Sequence, residues 1–193
     1  MDYVEETNAL CTAIYASLIH AGAELRELES ENEGDEEIMR SGKYSSEGKA
    51  EIQNEITARK RVIEEKKRTL AQSIEAQIDK YVTTCTPVLS PKEITDDAQL
   101  LTCGVKLTAK EIGTLLDRNK GNYTMETILL RYAEENGLQI PDLRAKYKTA
   151  FIMEEVNQTA KGERERLKYA MNHLGAKNWR SVINQFYGVA NHA

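Results

Sequence analysis

The chain has 193 residues, of which 30% are charged and 6% aromatic, and a formal net charge of −5 at pH 7. That length allows one moderate core or two small ones, and so light a use of large rings argues for a helix-rich protein and against a dense β-sandwich. No run reaches the roughly 18 to 20 apolar residues of a bilayer span. The opening "MDYVEETNAL" is acidic where a secretory signal is basic, and Cys11, Cys85 and Cys103 have neither disulfide-framework nor zinc spacing.

The charge is unevenly placed. Residues 1–44 hold 3 basic and 11 acidic side chains, whereas residues 142–193 hold 9 basic and 5 acidic ones. A chain acidic at the front and basic at the rear can orient partners or copies of itself.

In residues 3–31, Val4, Cys11, Leu18 and Leu25 recur at heptad spacing with Ile14, Ala21 and Leu28 between them, which predicts an amphipathic helix. Eight acids and one arginine follow in residues 24–37, and like charges at that density predict a helix that frays into an acidic linker.

After "SGKYSSEGKAE", where Ser45 or Ser46 can cap, a helical pattern with no proline runs to about Thr83. Ile52, Ile56, Ile63, Leu70, Ile74, Ile78 and Tyr81 fit an 11-residue repeat, which keeps an apolar stripe almost straight along a helix. Interrupted at Arg59 and Lys67, the stripe is a weak seam, suited to an antiparallel hairpin with the first helix or to a modest oligomer. The basic clusters 59–61 and 66–68 have acids four residues away, so they read as an ion-paired helix face in preference to a phosphate site.

"CTPVLSPKEITDDAQLL" carries two of the three prolines and marks the main boundary. Beyond it, "LTAKEIGTLLDRNKG" has Thr108 three residues before Glu111, a capping box, and ends at Gly121; "YTMETILLRYAEENG" starts at Thr124 and stops at Asn136-Gly137. Two short helices on a tight turn resemble a helix-turn-helix. The second helix, however, sets Arg131 against Glu126, Glu134 and Glu135, a poor balance for reading DNA, and Asn119-Lys120-Gly121 lacks the aspartate of a guanine-binding motif. From Pro141 a further helix is expected, bent or broken at Gly162, and then a short amphipathic helix with Trp179, Val182, Ile183 and Phe186 on one face.

No catalytic, cofactor or metal constellation is evident: His20 flanks the first stripe, His173 lies on a polar face and His192 is near the end. The binding candidates are two. Ile52, Ile56, Ile63, Leu70 and Ile74 are assigned to self-association, and Arg164, Arg166, Lys168, Trp179, Arg180 and Phe186 to docking on an acidic partner, with Trp179 as a local core plug the competing reading.

"KYSSEGKAEIQNEITARKRVIEEKKRTL" followed by "LTAKEIGTLLDRNKGNYTMETILLRYAEENGL" resembles small proteins encoded by tailed phages and prophages of Gram-positive bacteria, among head-morphogenesis genes. They share a charged helix opening K-Y-S/T-x-E-G, an L-T-x-x-E helix and a T-M helix ending in N-G-L; the likeness covers residues 43–138. It implies a capsid-assembly or head-associated role, with a capsid or other virion protein as partner and the host cytoplasm or the virion as location. The expected architecture is all-α: an acidic helix and linker over 1–42, a long coiled-coil-like helix over 43–85 and a helical domain over 92–193. The alternative function is a phage regulatory or host-inhibitor protein that binds nucleic acid or a host protein through its basic C-terminal helices.

Overall fold

The computed structural model describes residues 3–188 and is all-α. In chain order the helices are α1 (Tyr3–Arg40), α2 (Ser46–Cys85), α3 (Gln99–Thr102), α4 (Ala109–Arg118), α5 (Tyr123–Glu135), α6 (Leu143–Lys146), α7 (Ile152–His173) and α8 (Trp179–Tyr187), with short 3-10 turns at Pro91–Glu93, Asp96–Ala98 and Lys148–Phe151. The chain divides into two compact units. One joins the chain up to Thr83 with that from Thr159 onward; the other is Thr84–Gln158. This partition corrects the expected single domain over 92–193: most of α7 and all of α8 belong with the two long helices, because their apolar faces are buried there.

In the first unit, α1 and α2 lie antiparallel. Lys66 Nζ is 2.9 Å from Glu24, near the middle of both helices, and the Thr7 and Tyr81 hydroxyls are 2.9 Å apart near the far end. The turn between them is short, and Ser45 starts α2 by accepting from the Gly48 N–H at 3.2 Å. Leu10, Ile14, Leu18, Gly22 and Leu25 of α1 are buried, spaced three or four residues apart as one helical face requires, and Asn32 is buried seven residues further on. Val4, counted from sequence in that stripe, is exposed.

The acidic segment does not fray: α1 continues to Arg40. Its carboxylates meet cations from α1 itself and from elsewhere in the unit. Arg59 pairs with Asp35 and Glu31, Lys60 with Glu36, Lys66 with Glu24, Arg26 with Glu33, and Lys177 also reaches Glu33 at 3.4 Å. Isolated, the acids repel one another; beside α2 the same density of charge is matched. Arg59, read as an interruption of the apolar stripe, also donates to buried Asn32 Oδ1 at 3.3 Å, and so occupies a polar position within the hairpin.

α7 and α8 complete this unit. The Tyr3 and Thr159 hydroxyls are 2.9 Å apart, and Arg164 reaches Glu75 and Asp79 of α2 at 3.0 and 2.6 Å. Tyr15 Oη donates to Asn184 Oδ1 of α8 at 3.0 Å. α8 comes so close to α1 that a Cβ placed on Gly22 would stand 2.4 Å from the Trp179 ring. Gly162 does not break α7, which runs through it.

The second unit is built on Ile112, Leu115, Leu116, Met125, Leu129, Ala133 and Tyr147. The capping box of Thr108 and Glu111 opens α4, and Gly121, at φ +86°, makes the turn that an L side chain resists. α5 starts at Tyr123, one residue earlier than expected, with Asn122 as its cap, accepting from the Met125 N–H at 3.0 Å. Thr124 is buried instead, donating to Glu93 Oε2 at 2.7 Å and accepting from the Ser90 N–H. The helix expected from Pro141 is interrupted. Asp142 takes φ +56°, α6 is one turn long, and Tyr147 turns inward to give its hydroxyl to Asp117 at 2.7 Å.

Two weak acids, half-buried Cys11 and buried Tyr147, make the fold sensitive to alkali. Burial, then the charge of Glu163, pushes the Cys11 thiol from its ordinary 9.0 to about 11, and burial, then Asp117, pushes the Tyr147 phenol up to about 12. The folded chain therefore keeps protons that the unfolded chain releases, so stability is full below about pH 9 and falls as pH rises toward 12. Thermal melts followed by circular dichroism are expected to show a midpoint steady from pH 7 to 9 and declining above it. In Cys11→Ser the part of the decline between pH 9 and 11 is expected to shrink.

Candidate docking face

The residues assigned to self-association are engaged within the chain. Ile56, Ile63 and Ile74 are at most 2% exposed, and Ile52 and Leu70 are half-buried. With Ile56, Ile63 and Ile74 filling the interior of its own unit, the stripe packs within the chain, the intramolecular one of the two uses the sequence offered, and leaves a second copy little apolar surface.

The docking candidates divide. Trp179 is buried, its ring lying on Gly22 with the Arg180 guanidinium 5.3 Å from the ring centroid, so it is the core plug of the α1–α8 contact and is withdrawn from docking. Arg164 is held by Glu75 and Asp79. Arg166 is held by Glu163, its Nη1 2.6 Å from Oε1. Lys168 and Arg180 are exposed, and Phe186 is half-buried.

Glu163 is itself buried. Besides Arg166 it faces Cys11, whose Sγ lies 3.8 Å from Oε1, and Tyr187, whose phenol is pushed up by burial and then by the Glu163 charge. One carboxylate thereby gathers groups from α1, α7 and α8. Arg166 and Cys11 both meet Oε1, which offsets part of the cost of burying the acid, while Oε2 and the Tyr187 hydroxyl are buried without a hydrogen-bond partner among the described residues.

Outside this junction an aromatic ridge crosses α7 and α8. Tyr169 is 45% exposed, with its ring centroid 4.7 Å from that of His173 and 5.2 Å from that of Phe186, the latter pair edge to face. Lys161 and Lys168 stand two turns apart on α7, both exposed and with no acidic partner among the described residues. Sequence reasoning picked Lys168 and Phe186 but passed over Tyr169 and His173. The usable signal was their i, i+4 spacing on the polar side of α7. An exposed aromatic cluster flanked by cations suits an acidic protein surface: the rings supply area, the lysines orientation.

The helix-turn-helix in the second unit is closed at the end a DNA reader would present. Thr124, Met125 and Glu126, in the first turn of α5, are buried, and the segment 90–98 is laced onto the turn through Asn122 to Glu93 O at 2.7 Å, Asn119 to Asp97 at 2.8 Å and Thr95 to Asn119 at 3.0 Å. Arg131 is exposed. Of the histidines, His20 is exposed near Glu24, His173 joins the ridge, and His192 lies outside the described residues. Among the described residues, no group of three or more His, Cys, Asp or Glu could hold a metal ion, and no helix is long and apolar enough to cross a membrane.

Comparison of the chain with protein-family models, curated proteins and solved structures returned no match.

Proposed function

We propose that the protein is a non-enzymatic assembly factor that acts through protein–protein contacts, in the capsid-assembly or head-associated role implied by the resemblance of residues 43–138 to phage head-morphogenesis proteins. The observation that carries the reading is the ridge of Tyr169, His173 and Phe186 beside Lys161 and Lys168. It is the part of the basic α7–α8 region left available once Trp179, Arg164 and Arg166 are engaged internally. The lysines steer an acidic partner to the ridge, and burial of the Tyr169 ring holds it there.

The test is calorimetric binding of the purified chain to a tailed-phage major capsid protein. Tyr169→Ala combined with Lys168→Glu is expected to weaken binding by about 30-fold or more, as loss of a hot spot worth roughly 2 kcal/mol requires, with the helical melt unchanged. Binding indifferent to the double substitution, or no binding to any virion protein, would overturn the reading. The covered turn of α5 favours protein over duplex DNA as the partner class, and a salt-dependent duplex affinity that falls with the same substitutions would reverse that preference.

A further inference from the structure

Burial of the isoleucine stripe leaves open which surface, if any, joins copies of the chain. The acidic flank of α1 supplies a candidate. Ser30, Glu33, Gly34, Glu36 and Glu37 line an open groove with Arg40 and Lys177 at its edges. Gly34 is exposed there, and nothing lies within 4 Å of where its Cβ would be. Glu37 is exposed and forms no ion pair among the described residues, and the pairs made by Glu36, with Arg40 at 3.6 Å and Lys60 at 3.2 Å, are surface contacts that another cation can exchange at little cost.

We propose that the α7–α8 ridge of one copy seats in this α1 groove of the next, Lys168 entering among Glu33, Glu36 and Glu37 while Tyr169 covers the floor at Gly34. This rests on the reading of the ridge as a docking surface and names a second copy as an acidic occupant. Charge complementarity selects it: the ridge carries Lys161 and Lys168 without acidic partners, and the groove lies on the acidic stretch of α1, where Glu37 forms no ion pair among the described residues and the eight acids of residues 24–37 outnumber the six Lys and Arg side chains paired with them. Ridge against ridge, or groove against groove, would set like charges together. The contact therefore joins two different patches, and such a heterologous interface extends head to tail into rings or open chains, where a twofold contact stops at the dimer.

That geometry has a signature in mixtures. One variant removes the ridge, Lys161→Ser with Lys168→Ser and Tyr169→Ser; another removes the groove, Glu33→Gln with Glu36→Gln and Glu37→Gln. In sedimentation equilibrium at about 50 mM salt, the full chain is expected to gain weight-average mass with concentration past that of a dimer, and to lose that gain at about 500 mM salt, where charges are screened within a few ångströms. Each variant alone is expected to stay monomeric, and Glu37→Lys, at the one groove acid without an ion pair among the described residues, is expected to lose the mass gain with an unchanged helical melt. An equimolar mixture is expected to form 1:1 pairs and nothing larger, because one intact ridge meets one intact groove. A wild-type mass that saturates at the dimer, or variants that associate as well as the wild type, would overturn the proposal. So would a wild type monomeric throughout, and if its capsid binding still depended on Tyr169 and Lys168, the assembly reading would stand while the head-to-tail contact fell.

Discussion

Gly22→Ala is expected to lower the thermal midpoint of the protein by several degrees. A methyl group built there would lie 2.4 Å from two carbons of the Trp179 ring, far inside contact distance, and the ring is buried with no open side to retreat to. Either α8 moves off α1 or Trp179 leaves its rotamer, and overpacking of that kind costs about 1 to 3 kcal/mol, worth roughly 2 to 4 °C per kcal/mol in a chain of this size. Gly34→Ala is the control on the same helix. Open space surrounds that position, so relief of the glycine penalty is expected to raise stability by about 0.5 to 1 kcal/mol. Thermal melts of the two variants check both signs, and equal effects would remove the claim that Gly22 is required by the Trp179 contact.

In the second unit, Glu126→Ala is expected to be more damaging still. Glu126 is fully buried in α5, where one carboxyl oxygen accepts from the Gly121 N–H at 2.7 Å and the other from the Ala150 N–H at 3.0 Å. Truncation leaves two backbone donors without acceptors and a void besides. At about 1 to 3 kcal/mol for each unsatisfied group, a loss on the order of 3 to 5 kcal/mol is expected. Hydrogen exchange measured on the full chain reads the site directly: protection at Gly121 and Ala150 should collapse, together with that of the α4–α5 core. Glu134→Ala, on the exposed side of the same helix, is expected to change stability by less than about 0.5 kcal/mol. Preserved protection in Glu126→Ala would mean that other acceptors replace the carboxyl.

The contrast between those two glutamates shows where reading the chain stops. Both occupy polar positions in the α5 pattern, and in sequence both count against DNA binding. Only Glu126 is drawn inside, because the turn at 148–151, more than twenty residues away, brings the Ala150 amide over it. Gly22 is similar. A glycine within a helix signals only a propensity cost, and its use as a seat for Trp179 depends on α8, more than 150 residues downstream. Trp179 itself carried two readings, a docking anchor and a core plug, and burial on α1 decided for the second. Tyr169 went unselected because a single tyrosine on a polar face has no periodicity to betray it. It becomes a candidate when His173 and Phe186 gather around it.

By itself the sequence determined the all-α class, the length of α2 and the two short helices with their capping box and glycine turn. These depend on spacing, caps and backbone conformation within a few residues, and such information is local. The tertiary structure decided whether the acidic end of α1 remains a helix, since only cations from α2 and the α7–α8 loop could offset its repulsion. It also decided that the isoleucine stripe closes an intramolecular hairpin, and that the C-terminal helices join the N-terminal ones. An apolar face specifies that it must be covered; which face covers it is settled by long-range packing, where shape and charge must fit together and periodicity carries no address.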